Sequence, residues 1–148
     1  MESIPEVLIV DANILFSFFK LESVRRYVME ELLNLDCELI SPKFVFEELF
    51  KNKQKLMKFS QIDDSEFDFL YSLLEQEIKV AKESEYKEFL LEANKLSPHK
   101  EDTKDDSYFA LSLAFNKTPI WSDEKAFKQQ SEIKVLSTKD LLKLLKLA

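Results

Sequence analysis

Six carboxylates fall at positions where a fold can make use of them. Asp11 stands directly after the apolar run Val7-Leu8-Ile9-Val10, Asp123 and Glu124 follow the run 118–122, and Asp102, Asp105 and Asp106 crowd the start of the segment that precedes that run. Several like charges brought within a few ångströms repel and raise one another's pKa unless a cation compensates them. Carboxylate oxygens are hard ligands and select Mg²⁺ or Mn²⁺. Such a site suits phosphodiester hydrolysis, because bound divalent ions neutralise the phosphate and lower the pKa of an attacking water. With water as the nucleophile no Ser, Cys or His nucleophile is needed, which agrees with a lone His99 in a loop after Pro98.

These carboxylates converge only if the chain builds an open parallel sheet, where ligands bind beyond the carboxyl ends of the strands, near the reversal of strand order. Residues 7–10 are short, apolar and β-branched, as a central strand buried on both faces would be. Residues 14–19 and 24–35 have helical spacing, and 37–40 is a second apolar stretch followed by Ser41-Pro42, an N-cap with Pro at the first helical position. Helix is then expected to about Lys58. Asp63, Asp64 and Glu66 place acid at the start of a helix over 67–74, where the helix dipole favours negative charge, and 78–81 reads as a brief edge strand. A helix opening at Ser84 runs to Asn94, and the next is capped by Asp102 or Thr103 and ends near Phe115, with Asn116 supplying the left-handed stop. Residues 118–122 and 133–136 read as strands, 124–129 as a short helix, and Ser137 caps a last helix over 141–147. Strands alternating with helices in this way predict a three-layer α/β/α sandwich with a central, mostly parallel sheet. No repeat or linker divides the chain, so residues 1–148 are read as one domain.

Composition narrows the function classes. The 148 residues contain no Gly, which removes the Walker loop, the dinucleotide fingerprint and the kinase loop, all of which need backbone that approaches phosphate without a Cβ. No Asn-Gly or Asp-Gly turn is available, which disfavours an all-β fold. Thirteen Phe supply much of the core, Trp121 is expected to be buried, and the single Cys37 reads as a buried thiol in a reducing cytoplasm. No 18-residue apolar stretch and no basic N-terminal region occur, so neither a membrane span nor a signal peptide is expected. The net charge of −7 speaks against a generally basic nucleic-acid surface, yet most of it would belong to one pocket if the carboxylates converge.

The segments Leu8-Ile9-Val10-Asp11-Ala12-Asn13-Ile14, Ser41-Pro42-Lys43-Phe44-Val45-Phe46-Glu47-Glu48-Leu49, Asp102-Thr103-Lys104-Asp105-Asp106-Ser107-Tyr108-Phe109-Ala110-Leu111 and Pro119-Ile120-Trp121-Ser122-Asp123-Glu124-Lys125-Ala126-Phe127 resemble the PIN-domain motifs in their usual order, over nearly the whole chain. The nearest likeness is to small prokaryotic single-domain members, VapC-type toxins among them. The resemblance implies a Mg²⁺- or Mn²⁺-dependent ribonuclease with an acidic pocket. It assigns Asp11 to the Asp that ends the first strand, Asn13 to the polar residue after it, and Glu48 to the Glu of the helix after the second strand. Glu47 is the rival, since adjacent helical residues point about 100° apart. Asp105 takes the third acidic position, with Asp106 where a small residue is usual and Asp102 as an accessory acid. At the fourth position Ser122 and Phe127 set a register that puts Glu124 where Asp is expected, with Asp123 one place earlier; both enter the candidate catalytic and metal-binding set.

Lys51 and Lys55, on the helix carrying Glu48, are candidate contacts to RNA phosphates as well as ordinary solvated side chains. Phe16, Phe18, Phe19, Phe44 and Phe46 read as core, with a partner groove as the other use. The dense stripe Leu141, Leu142, Leu144, Leu145 and Leu147 exceeds one helix face and could extend a homodimer interface. The VapC likeness adds a possible antitoxin partner. Two other functions compete: a PIN scaffold that binds RNA or protein with impaired catalysis, suggested by Glu124, and a phospho-acceptor receiver, which Ala12 after Asp11 disfavours because that fold pairs acids there.

Overall fold

The protein is described as a computed structural model over residues 3–98 and 103–147. Five strands, β1 (Val7–Val10), β2 (Glu38–Pro42), β3 (Ile78–Ala81), β4 (Ile120–Trp121) and β5 (Val135–Leu136), form one parallel sheet in the order β3-β2-β1-β4-β5. β1 is the centre: Ile9 pairs with Ile40 on one side and Ile120 on the other, and Leu8, Ile9 and Val10 are fully buried. A strand covered on both faces has no use for alternation, which is why β1 reads as an unbroken apolar run.

The chain steps outward from β1 to β2 through α1 (Ala12–Ser17) and α2 (Val24–Asn34). It continues to β3 through α3 (Lys43–Lys51), α4 (Lys53–Ser60) and α5 (Asp64–Glu77). It then crosses back past β1 to β4 by way of α6 (Leu90–Leu96) and α7 (Asp106–Ala114), and ends in α8 (Thr138–Leu147) after β5. Right-handed crossovers in opposite directions put their helices on opposite faces of a sheet. Accordingly α7 packs on β1, β2 and β4 beside α6, while α2 packs with α1 and α8. The three-layer α/β/α architecture follows. Strand order reverses between β1 and β4, so the crevice past their carboxyl ends is the place a ligand site is expected.

Several local expectations change. β2 runs on through Pro42, and the Ser41 hydroxyl donates to the Val10 carbonyl at 2.8 Å. Ser41 therefore ties β2 to β1 instead of capping α3, and Pro42 takes the N-cap position without a side-chain bond. The helix predicted to Lys58 is broken at Asn52, which stands between α3 and α4 and turns its amide onto the Glu48 carbonyl at 2.8 Å. The helix expected from Ser84 begins as two 3₁₀ turns, Glu83–Glu85 and Lys87–Phe89, because buried Tyr86 sits between them at φ −135°, off the helical path. α7 starts at Asp106, later than a cap at Asp102 or Thr103 would place it; Asp102, like His99, lies outside the described residues.

Other expectations hold. Asp63 and Glu66 form a capping box at the start of α5, and Ser137 with Asp140 does the same at α8. Asn116 takes φ 56° after α7, and among the described residues Asp36, Gln61 and Lys117 share the left-handed region that Gly would normally fill. Trp121, Phe18, Phe19, Phe46 and Cys37 are core, as are Leu141 and Leu144, whereas Leu142 and Leu145 are half-buried.

Candidate functional site

Asp11 leaves the buried end of β1 and bends straight into α1. One of its oxygens accepts from the Ile14 backbone N–H at 3.2 Å, so it caps α1 while lying 5% exposed at the floor of a cleft. Burial holds its carboxyl above the ordinary value near 3.8, against the opposing pull of the Ser122 hydroxyl, the Ile14 and Asn13 amides and the Arg25 charge. A carboxylate so placed gains from a nearby cation.

The same cleft, of about 190 Å³, is lined by Asn13, Glu48, Asp105 and Glu124, with Phe16, Phe44, Lys104, Tyr108 and Phe127 around them. Four carboxylates thus reach it from four parts of the fold: Asp11 after β1, Glu48 on α3, Asp105 before α7 and Glu124 after β4. Asp105 makes no capping bond to α7, so the helix start does not account for its presence. Glu124 is held by its own backbone N–H, which donates to the Ser122 hydroxyl at 3.1 Å; Ser122 is buried behind the cleft wall, where it serves this turn and also acts on the Asp11 carboxyl.

The structure places the members of two adjacent acidic pairs differently. Glu48 faces the cleft, and Glu47 faces a neighbouring groove of about 810 Å³ with Lys43, Lys82 and Tyr86. Glu124 faces the cleft and Asp123 does not. Asp123 accepts from the Thr138 N–H at 2.7 Å, the Thr138 hydroxyl at 2.6 Å and the Arg25 Nε at 2.8 Å. Burial alone would raise the Asp123 carboxyl, but these Thr138 and Arg25 donors outweigh it and hold it below its usual value. Asp123 thus lies off this cleft and ties the β4 turn to the start of α8.

The flanks mix basic and acidic side chains. On one side a groove of about 540 Å³ is lined by Asn13, Phe16, Arg25, Glu48, Lys55 and Phe59. On the other, the 810 Å³ groove carries Lys43, Lys82 and Lys104 opposed by Glu47, Glu83 and Asp106, and it shares Phe44 and Lys104 with the cleft. Lys55 lines the smaller groove, whereas Lys51 lines neither. Sequence reasoning missed Arg25, Lys104 and Tyr108. The Tyr108 hydroxyl accepts from the Ala12 N–H at 3.0 Å and is buried beside Asp11. Burial first, and then the charges of Asp11, Asp105 and Glu48, push its phenol well above the ordinary range. Its position, three residues after Asp105 on α7, was the only sequence signal.

The model of the PIN domain family matches residues 9–145. This chain belongs to the PIN-domain family. The match takes in all five strands except the first residues of β1, and with them the cleft at the β1/β4 reversal. No curated protein matches the chain. PIN domains are generally nucleases that use divalent metal ions, and the chemistry of the cleft fits such an ion: four hard oxygen side chains, one of them desolvated, line it. They are not closed into a cage. Among the described residues no three His, Cys, Asp or Glu side chains are gathered around a single point, and Glu48 is drawn to Lys104 at 2.7 Å. No helix among the described residues is long and apolar enough to cross a membrane.

Proposed function

We propose that this PIN domain is a Mg²⁺- or Mn²⁺-dependent ribonuclease. One observation carries the reading: Asp11, Glu48, Asp105 and Glu124 line a single cleft at the sheet's reversal point, between two grooves in which lysine and arginine stand among acidic side chains. A bound divalent ion supplies charge neutralisation for the phosphate and a more acidic attacking water. The chain's own residues do the rest. Asp11, Glu48, Asp105 and Glu124 hold the ion. Arg25 and Lys55 on one side, with Lys43 and Lys82 on the other, take backbone phosphates of the strand on either side of the scissile bond. Phe16 and Phe44, half-buried at the cleft's rim, offer faces on which bases can stack. Tyr108, fixed by the Ala12 N–H, keeps the loop after β1 against α7 and so keeps Asp11 and Asp105 together.

The likeness to VapC-type toxins extends the proposal to an antitoxin partner and a homodimer. Exposed Leu21, Phe59 and Leu91 provide apolar surface for such contacts. Size-exclusion chromatography with light scattering reads the dimer, and co-purification with the product of a neighbouring small gene reads the antitoxin.

The test of the reading is Mn²⁺ calorimetry beside an RNA-cleavage gel. Wild type is expected to bind Mn²⁺ and cut RNA, and Glu124→Gln to lose both by at least tenfold. RNA bound but left intact in Mn²⁺ points instead to a catalytically impaired scaffold, the reading that a Glu in the fourth acidic position favours.

A further inference from the structure

Lys104 is the one ammonium that lines both the acidic cleft and the adjoining 810 Å³ groove among the described residues. Its Nζ lies 2.7 Å from Glu48 Oε1, in a bond that joins the segment before α7 to α3 across the cleft, 56 residues apart in sequence. Its immediate neighbour in the chain is Asp105, another of the four cleft carboxylates. The Lys104 side chain is 63% exposed and that of Glu48 31% exposed, so this is a surface ion pair. Pairs of that kind contribute little and exchange readily. A lysine stem of four methylenes also allows the ammonium to swing without moving the backbone.

We propose that Lys104 is a built-in counter-cation of the acidic cleft. It competes with the divalent ion for Glu48 and, once displaced, turns into the neighbouring groove to meet a substrate phosphate. The inference rests on the ribonuclease reading of the cleft and adds a positioning residue to it. Two features of the structure support it. Lys104 holds Glu48, one of the four carboxylates that line the cleft, from a segment on the cleft's other side. The groove into which the stem already leads holds Lys43 and Lys82 against Glu47, Glu83 and Asp106, so a Lys104 released from Glu48 supplies there the positive charge that a nucleic-acid backbone needs. A divalent ion outcompetes a single exposed ammonium for an oxygen site on charge alone, so the pair lowers metal affinity without abolishing it.

The experiment is Mn²⁺ calorimetry on the full chain as wild type, Lys104→Gln, Lys104→Arg and the double variant Lys104→Gln/Glu48→Gln, with steady-state RNA cleavage on the first three. Removing the competing cation is expected to tighten Mn²⁺ binding about two- to fivefold, the range set by an exposed ion pair. Lys104→Arg keeps wild-type Mn²⁺ affinity. In the Glu48→Gln background the Lys104→Gln change has a smaller effect on Mn²⁺ than it has in wild type. In cleavage, Lys104→Gln raises KM for RNA severalfold while Mn²⁺ saturates at a lower concentration, a pairing of opposite signs that general damage to the site does not give. Circular dichroism melting checks that the exposed substitution leaves the fold intact. Unchanged or weaker Mn²⁺ binding in Lys104→Gln, with wild type binding normally, overturns the role of Lys104 and leaves the cleft's function standing. Wild type that binds no Mn²⁺ overturns the ribonuclease reading, and the inference falls with it.

Discussion

Arg25 Nε donates to Asp123 Oδ2 at 2.8 Å, and the same oxygen accepts the Thr138 hydroxyl at 2.6 Å. Two adjacent acids after β4 thus divide the labour: Asp123 anchors the turn to α2 and α8, and Glu124 is left to face the cleft. The two substitutions should separate cleanly. Asp123→Ala removes an acceptor from three donors, one of them charged, and is expected to cost about 2 kcal/mol, or roughly 4–8 °C in Tm for a domain of this size. Glu124→Gln should leave Tm within about 0.5 kcal/mol of wild type, as an exposed polar change does, while weakening Mn²⁺ binding. Thermal melts of both variants without metal check the division; equal melting temperatures for the two would contradict it.

Asp11 makes a pH-dependent prediction. Its carboxyl is held above its usual value by burial, so between the ordinary pKa near 3.8 and the raised one the folded state binds more protons than the unfolded chain. Stability then falls as pH rises through that window. In metal-free protein Asp11→Asn is therefore expected to raise Tm at neutral pH, since the amide keeps the acceptor for the Ile14 N–H and removes the buried charge. The gain should vanish at pH values below about 3.8. Asp140 has the opposite sign: burial is outweighed by the bonds from Lys128 and Ser137, which hold it down to about 2, so its contribution is complete above 3.8 and disappears as pH falls toward 2. Melts of the two Asn variants against pH should diverge in opposite directions.

A chain without Gly takes its left-handed turns with other residues. Gln61 closes α4 at φ 57°, and Lys117 follows Asn116 at φ 60°. A side chain with a Cβ in that region costs about 1 kcal/mol, and Gly relieves it at the expense of a floppier unfolded chain. Gln61→Gly and Lys117→Gly should each raise stability in urea denaturation by about 0.5 kcal/mol. Replacement by Val at either position should lower it by more than Gly gains.

Cys37 is buried at 4% exposure, and burial pushes its thiol up to about 11, with the Glu38 charge adding to the effect. An aromatic disulfide reagent at pH 8 should leave it unmodified in the native protein and titrate one thiol per chain in urea. Rapid modification of the native protein would contradict the placement.

The parts legible in sequence were those set by local pattern. The apolar run of β1 ending in Asp11, the acids opening α5 and the Ser137 cap of α8 each announce themselves within a few residues. The break at Asn52 did not, because Asn inside a polar Lys-rich stretch carries no signal until its amide finds the Glu48 carbonyl. Ser41-Pro42 reads locally as a helix cap, and only the neighbouring strand's Val10 carbonyl makes it the end of β2. The same holds in the site. Which of Glu47 and Glu48, and which of Asp123 and Glu124, lines the cleft follows from tertiary placement, for Asp123 from its bonds to Thr138 and Arg25, long-range relationships that adjacent identical or near-identical side chains cannot reveal. Lys104 reaches the cleft through a partner 56 positions away.

The most direct test of the account is cleavage of a 5′-labelled single-stranded RNA by wild type and by Asp11→Asn, each with Mn²⁺ and with chelator. Fragments are expected only from wild type with Mn²⁺, with Asp11→Asn slower by at least a hundredfold, about 2.7 kcal/mol in the barrier. Intact RNA in every lane, or cutting by Asp11→Asn equal to that of wild type, would contradict it.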